Sequence, residues 1–247
     1  MAEPMLSILV PTTEARRAFW PWLSWNISRQ QNIDWAQTEV VVASPDGTGV
    51  ELEVPCAVRR VFYRGSPPLG LIRNGLMGRA RGHVLAWFDD DDWHHPDRLS
   101  YTRAVLDAPG LGLEWVALSG LHYLHLWAQQ PLLSTLPTYR ARGVPMTTVG
   151  RRRTLDTVGF GLRATGSDTA WFEELQETDP TGRLARPQAG GLPYFIALAH
   201  GGNMTQALAR MRAEPFPATW AADPGWAGTD EQLEALRKRL RETPPVK

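Results

Sequence analysis

The chain has 247 residues, 43% of them hydrophobic and 21% charged, enough to bury the core of one large α/β domain or two small ones. Twenty-six basic residues balance twenty-six acidic ones, so net charge demands neither a polyanionic partner nor an anionic membrane surface. The single cysteine, Cys56, excludes an internal disulfide and a thiolate zinc cage, which favours a reducing compartment with the cytoplasm as default.

The opening MAEPMLSILVPTTEARR has too short an apolar run, with its positive charges on the wrong side, to read as a secretory signal. No run of about eighteen apolar residues occurs anywhere, so no spanning helix is expected. Met5 to Val10, ended by Pro11, is the first predicted strand, and Glu39 to Ala43, ended by Ser-Pro-Asp-Gly, is the second. Between them Phe19, Trp22, Leu23 and Ile27 recur at helical spacing while Arg16, Arg17 and Arg29 fall elsewhere, which predicts an amphipathic cover for a sheet with Pro21 near its first turn. Val58 to Tyr63 is a third strand, Leu69 to about Arg81 a helix, and His83 to Phe88 a fourth strand. After Pro96 a helix is predicted to about Ala108, followed by strand-like stretches at Glu114–Leu118, Gly120–Trp127, Met146–Val149 and Tyr194–Ala199. Helical spacing returns at Ser167–Leu175 and Asp230–Leu240, while Gln176–Gly191, rich in Gly, Pro and charge, reads as a mobile loop. Strands alternating with helices over the first hundred or so residues predict an α/β fold, a mostly parallel sheet flanked by helices on both faces, with ligands at the carboxyl edge of the strands. The eleven tryptophans are read mainly as core.

The strongest chemical signal is HVLAWFDDDDWHHPDRL, in which an apolar strand ends in Asp89, Asp90, Asp91 and Asp92. Two carboxylates about 5 Å apart repel by roughly 3 kcal/mol at an effective dielectric near 20. A divalent cation removes that conflict, and hard oxygen ligands suit magnesium or manganese, whose remaining coordination is commonly filled by phosphate oxygens and water.

The chain resembles glycosyltransferase family 2 at several points in the same order. These are VPT at Val10 to Thr12, the Arg-Asn helix start in RNGLMGRARG at Arg73 to Gly82, the aspartate run, and PDRL at Pro96 to Leu99. Further on, GRRRTLDTVGFG, GSDTAWFEEL and HGGNMT resemble the segment before the family's catalytic acid, the helix that carries it and the C-terminal His-x-x-Asn motif. The resemblance implies the GT-A fold, Rossmann-like, as a single domain over 1–247: a nucleotide-sugar-binding half at 1–99, a smaller acceptor-side subregion at 100–215, and a tail and helix at 216–247.

It also implies an inverting, metal-dependent transferase using Mn2+ or Mg2+ and a nucleotide-sugar donor, a UDP- or dTDP-sugar being favoured. Carried over by residue, Asp91 matches the metal carboxylate, and Asp89 or Asp90 the one touching donor ribose or metal. Asp92 is left as structural, and the register within the run stays open. Asp46 matches the acid that reads a nucleobase edge, Pro11 and Thr12 the loop after the first strand, and Arg73 and Asn74 a diphosphate-facing pair. His200 matches a loop residue that closes over diphosphate or metal, and Asp168 the general base. The acceptor is an unidentified hydroxyl. A nucleic acid, suggested by Arg140, Arg142, Arg151, Arg152, Arg153 and Arg163, is compatible but not favoured, and a homodimer is left open. A non-catalytic nucleotide-sugar-binding protein and a sugar-phosphate nucleotidyltransferase are the alternatives, although PTTEARR stands where the latter has a glycine-rich phosphate loop.

Overall fold

The computed structural model describes residues 4–45, 49–126, 132–136, 143–161, 167–185, 193–199, 214–215 and 229–242. Strand β1 (Leu6–Pro11) is buried throughout and leads through a 3-10 turn (Glu14–Phe19) into α1 (Trp20–Ser28). Pro21 falls in the first turn of α1, where a helix has no use for its missing N–H. Then come β2 (Thr38–Pro45), β3 (Ala57–Tyr63), α2 (Leu69–Arg79), β4 (Val84–Trp87), the short β5 (Trp93–His94) and α3 (Arg98–Leu106). The second half supplies β6 (Trp115–Leu118), β7 (Leu121–His125), β8 (Leu132–Leu136), a 3-10 turn (Pro145–Thr147), β9 (Val149–Arg151) and α4 (Arg152–Leu155). It closes with α5 (Ser167–Thr178), β10 (Arg183–Ala185), β11 (Phe195–Ala199), β12 (Glu214–Pro215) and α6 (Thr229–Glu242). No helix among the described residues is long and apolar enough to cross a membrane.

One sheet has seven strands in the order β10-β6-β9-β4-β1-β2-β3. β1 runs parallel to β2 and β4, β2 parallel to β3, and β9 antiparallel to both β4 and β6. This is the mostly parallel, helix-flanked sheet that the alternation predicts. Alternation along β1 explains the two cores. Leu6, Ile8 and Val10 face Trp20, Leu23 and Ile27 of α1 and share a cluster with Leu99 and Leu106 of α3. Leu9, with Val41, Leu85 and Trp87, joins Ile72, Leu76 and Met77 of α2 and Trp171, Phe172 and Leu175 of α5. Because both faces are covered, the central strands read as unbroken apolar runs rather than alternating ones.

A second sheet has five strands in the order β12-β8-β7-β11-β5. A third cluster of Phe19, Trp22, Trp93, Leu124, Ile196 and Leu198 with Leu233 and Leu236 of α6 ties that sheet to α1. Trp20, Trp22, Trp87, Trp93, Trp115 and Trp171 are all buried, as core tryptophans should be. Each such side chain contributes roughly 1.5–3 kcal/mol or more by leaving water.

Three expectations need correction. Gln176–Gly191 is not one loop: α5 continues to Thr178, and Arg183–Ala185 adds a strand parallel to β6, with Leu184 packing on the α5 side of the sheet. Met146–Val149 is split, the 3-10 turn ending as Thr147 and Thr148 bond back to Val144 and Pro145, so the strand starts only at Val149. Arg16, assigned to the solvent side of a single helix, lies on the preceding 3-10 turn and points inward.

The α2–β4 connection is fastened to β1. Gly82 N donates to Ser7 Oγ at 2.8 Å, and Ser7 Oγ donates to buried Glu39, which also accepts from Arg81 N at 2.7 Å. A Cβ at Gly82 would come within 2.6 Å of Ser7 N, a backbone atom that cannot yield without moving β1. Gly82→Ala is therefore expected to destabilise the fold by about 2–4 kcal/mol, read as a melting temperature several degrees lower. An unchanged melting temperature would show that β1 shifts freely.

Candidate functional site

The site grows from the end of β4. Phe88 N still bonds to Leu9 O at 3.0 Å, keeping the chain beside β1 until the apolar strand gives out. The next four residues are the aspartates, and the chain turns over Asp90 and Asp91 before entering β5. Oxygens of Asp89, Asp91 and Asp92 all lie within 4.8 Å of one another. Asp90 is not in this converging set: its carboxylate accepts from Thr12 Oγ1 and, at 2.7 Å, from Arg16 Nη1. Asp92, read from sequence as structural, is both: it belongs to the converging set, and its Oδ1 accepts from Leu198 N of β11 at 3.3 Å.

Among the described residues, three arginines from three elements answer this negative charge. Arg16 Nη1 lies 2.7 Å from Asp90 and 2.5 Å from Asp91. Arg73, buried in the first half of α2, approaches Asp89 Oδ1 at 3.8 Å while its guanidinium lies over the Phe160 ring at 5.5 Å. Arg98, fully buried at the start of α3, donates to Trp87 O at 2.8 Å and sits 5.4 Å over the Phe88 ring. Burial pulls the Arg98 guanidinium down to about 9, with Asp89 and Asp92 acting against that, so it stays charged at neutral pH. His94 rests against Phe88 and meets Arg98 Nη1 through Nδ1 at 3.2 Å. Burial first, and then Arg98, hold the imidazole well below its ordinary value, so it is neutral. Because Arg98 can only donate, Nδ1 must accept and the proton sits on Nε2.

Two tryptophans of α1 brace the same loop. Trp20 Nε1 donates to Thr12 Oγ1 at 3.1 Å, and Trp22 Nε1 donates to Asp92 O at 2.9 Å. Asn26 adds a donation to Asp92 O and accepts from His94 N at 3.0 Å. Thr12 is thereby occupied on every side, because Tyr63 also donates to its carbonyl at 3.0 Å. Pro11 ends β1 in register with Ala43. Thr12, which the VPT resemblance assigns to the donor-binding loop, supports Asp90 in this structure.

Asn74, expected beside Arg73 at the diphosphate, bonds to Phe160 in this structure, its amide donating to the carbonyl at 3.0 Å and accepting from the N–H at 2.8 Å. Phe160 stacks on Trp171 at 4.6 Å between ring centres, and Trp171 meets Trp87 edge-on at 6.1 Å. Asp168 lies in the first turn of α5, one turn before Trp171, and so on the helix that packs against the residue two before Asp89. Asp46 and His200 lie outside the described residues, although β11, which ends at Ala199, borders Asp92. Arg16, Arg98 and Trp22 were not singled out by sequence as site residues. Only Arg98, inside the PDRL match, carried a signal that pointed to this place.

A cavity of about 730 Å³ lies at the opposite edge of the sheet, near His83 and Arg151 at the start of β4. There Arg151 pairs with Asp107, Arg152 with Asp156 and Arg153 with Glu114, so these three cations already have carboxylate partners.

A mostly parallel, helix-flanked sheet with a short antiparallel strand and a smaller companion sheet is the GT-A fold. Among solved structures similar to this chain is Staphylococcus aureus TarS 1–349 in complex with UDP-GlcNAc, with a TM-score of 0.60 and 16% identity over 80% of this chain and 59% of that one. The mannosyltransferase PcManGT from Pyrobaculum calidifontis, in complex with GDP-Man and Mn2+, gives 0.57 and 14% identity over 100% and 77%. Mycobacterium tuberculosis glucosyl-3-phosphoglycerate synthase gives 0.52 and 12% over 97% and 79%. The chain thus spans about 60% of the length of the TarS 1–349 structures. No protein-family model and no curated protein matches the sequence.

The buried acids set a pH dependence. Burial, opposed by Arg73, pushes Asp89 up to about 7, and burial, opposed by Arg16, pushes Asp90 up to about 6. Asp92 is held well above the usual carboxylate range by burial and then by Asp91 and Asp89. An unfolded aspartate titrates near pH ~4, so above that value the folded state holds more protons than the unfolded one, and stability falls as pH rises. The buried neutral His94 works the other way, but in the unfolded chain it is already half discharged at about pH 6.5, so its opposing effect above that pH is small. Metal-free protein is expected to melt at a lower temperature at pH 8 than at pH 6.5, with the difference reduced in Asp89→Asn. A melting temperature that holds or rises across that interval would contradict the burial of these charges.

Proposed function

We propose that the chain is a divalent-metal-dependent glycosyltransferase that moves a sugar from a nucleoside-diphosphate donor to a hydroxyl acceptor with inversion at the anomeric carbon. The observation that carries this reading is the convergence of Asp89, Asp91 and Asp92 at the carboxyl end of β4 in a GT-A sheet. Their donor set suits Mn2+ or Mg2+: all are hard carboxylate oxygens, and buried Asp89 Oδ1 has no hydrogen-bond partner among the described residues. Octahedral ions of this size hold ligands at ~2.1 Å, so oxygens already within 4.8 Å need only a small closure. Asp89, Asp91 and Asp92 would hold the cation, and His200, just after β11, is proposed as a further ligand on the strength of the HGGNMT resemblance. When bound, the cation supplies Lewis-acid stabilisation to the leaving diphosphate.

The chain's own residues do the rest. Arg73, at the amino-terminal half of α2, adds fixed positive charge beside Asp89, where a diphosphate meets both a guanidinium and the helix dipole. Asp168 accepts the proton of the acceptor hydroxyl as its oxygen attacks the anomeric carbon from the side opposite the diphosphate. The carbon–oxygen bond to the diphosphate then breaks, and the configuration inverts. TarS in complex with UDP-GlcNAc and PcManGT in complex with GDP-Man and Mn2+ support a nucleotide-sugar donor. The Asp46 resemblance favours UDP- or dTDP-sugars over purine ones. For the acceptor, the carboxylate partners of Arg151, Arg152 and Arg153 leave those arginines no unmet need for phosphate, so a saccharide, lipid-linked sugar or small molecule is preferred to nucleic acid. A cytoplasmic setting is proposed on the single half-buried Cys56.

Screening nucleotide sugars with Mn2+ for nucleoside-diphosphate release and transfer tests the reading. Asp91→Ala is expected to lose metal-dependent donor binding and turnover together. Asp168→Asn is expected to keep donor binding but lose transfer by about 10²- to 10⁴-fold, the range of general-base catalysis. Undiminished transfer in Asp168→Asn would move the base elsewhere, and an α-glycoside from an α-linked donor, seen by NMR, would rule out single inversion.

A further inference from the structure

Among the described residues, Arg16 is the cation that contacts both Asp90 and Asp91 while staying partly exposed. Its side chain keeps 27% of its surface exposed, whereas Arg73 keeps 4% and Arg98 is fully buried. A single nitrogen, Nη1, makes both of its contacts, one to Asp90 Oδ1 and one to Asp91 Oδ2. These two acids stand differently towards the site. Asp91 is among the three converging carboxylates, while Asp90 lies outside them and is fixed independently by Thr12, itself held by Trp20.

We propose that Arg16 is a resident counter-cation that competes with the divalent ion for Asp91, so that metal and nucleoside diphosphate bind cooperatively rather than independently. This rests on the reading of the acid cluster as a metal site. The physical basis is the shared carboxylate. Asp91 Oδ2 engaged at 2.5 Å by a guanidinium cannot offer its charge fully to an ion, and two cations cannot both sit against Asp91 without repelling one another. Metal alone must therefore displace Arg16 from Asp91 and leave a largely desolvated guanidinium with only Asp90 as partner. When a diphosphate enters with the metal, the displaced guanidinium gains an anion suited to its planar, forked donors. Displacement opposes the first ligand and is offset by the second. Reciprocity then requires that each ligand raise the other's affinity by the same factor.

The test measures Mn2+ binding by calorimetry or by the EPR signal of free Mn2+, with and without UDP and, in parallel, GDP, on the full chain. Wild type is expected to bind Mn2+ alone weakly and at least about tenfold more tightly with nucleotide, a coupling of about 1.4 kcal/mol. Arg16→Gln is expected to bind Mn2+ alone about tenfold more tightly than wild type and to lose most of the enhancement by nucleotide. Near-UV circular dichroism checks that this variant is folded. Arg16→Lys, which keeps the charge, gives a second reading and is expected to stay near wild type for Mn2+ alone. Equal or weaker binding of Mn2+ alone by folded Arg16→Gln, or a lysine variant that behaves like the glutamine one, would overturn the proposal. Absence of Mn2+ binding by wild type and both variants, with nucleotide present, would instead overturn the metal-site reading itself.

Discussion

Four ionisable carboxylates in succession at the end of a buried strand pose an electrostatic problem that shapes the first hundred residues. At about 5 Å, each pair repels by roughly 3 kcal/mol at an effective dielectric near 20. Burial adds a further penalty for every charge kept. The fold answers with Arg98 beneath the loop, Arg73 beside it and Arg16 across its open side. Each comes from a different segment, so the cluster is assembled only when β1, α2 and α3 are all in place around β4. The geometry of the acid cluster and the correct folding of the parallel sheet are therefore one and the same condition.

Rigidity comes from neutral groups. An aspartate loop held only by salt bridges would sample many arrangements, because ionic contacts have little directionality. Here the backbone of Asp92 is fixed by indole and amide donors from α1, and its carboxylate by the N–H of Leu198 on β11. Tryptophan suits this task, since its ring fills the core between the two sheets while its single N–H reaches the loop. The tryptophans of α1 thus join the hydrophobic core to the polar site, and they explain why a cover helix carries such large side chains at buried positions. Positions held within small tolerances are what a site must have if it is to orient a donor and an acceptor together.

Much of this was legible in the sequence, and what was not has identifiable causes. The central strands announced themselves as apolar runs because both faces are covered, and the aspartate run stood out because charge rarely follows such a strand without a reason. Arg16 was hidden because its partners are 74 and 75 residues away and because its segment is a 3-10 turn, on which helical spacing assigns the wrong face. β10 was hidden for another reason. Three residues at the edge of a sheet, flanked by Gly, Pro and charge, carry too little pattern to outweigh their surroundings. The bonds of Asn74 to Phe160 were not legible, because an amide near a helix start is equally suited to a ligand and to a neighbouring backbone, and only the fold shows Phe160 within its reach.

The same reasoning accounts for the fourth aspartate. Three carboxylates suffice to line a cation site, and the sequence reading leaves Asp92 as structural with the register within the run open. In the structure Asp90 is the one outside the converging set, and it is bound by a hydroxyl and a guanidinium. That arrangement gives Arg16 an anchor that does not belong to the cluster. Without Asp90, a guanidinium leaving Asp91 would have to return to water or remain buried and unpaired, and the latter is strongly unfavourable. With Asp90 fixed by Thr12, the guanidinium can let go of one carboxylate while remaining paired to the next. A fourth acid that looks redundant as a ligand is thus the element that allows a cation to be held near the site without being part of it.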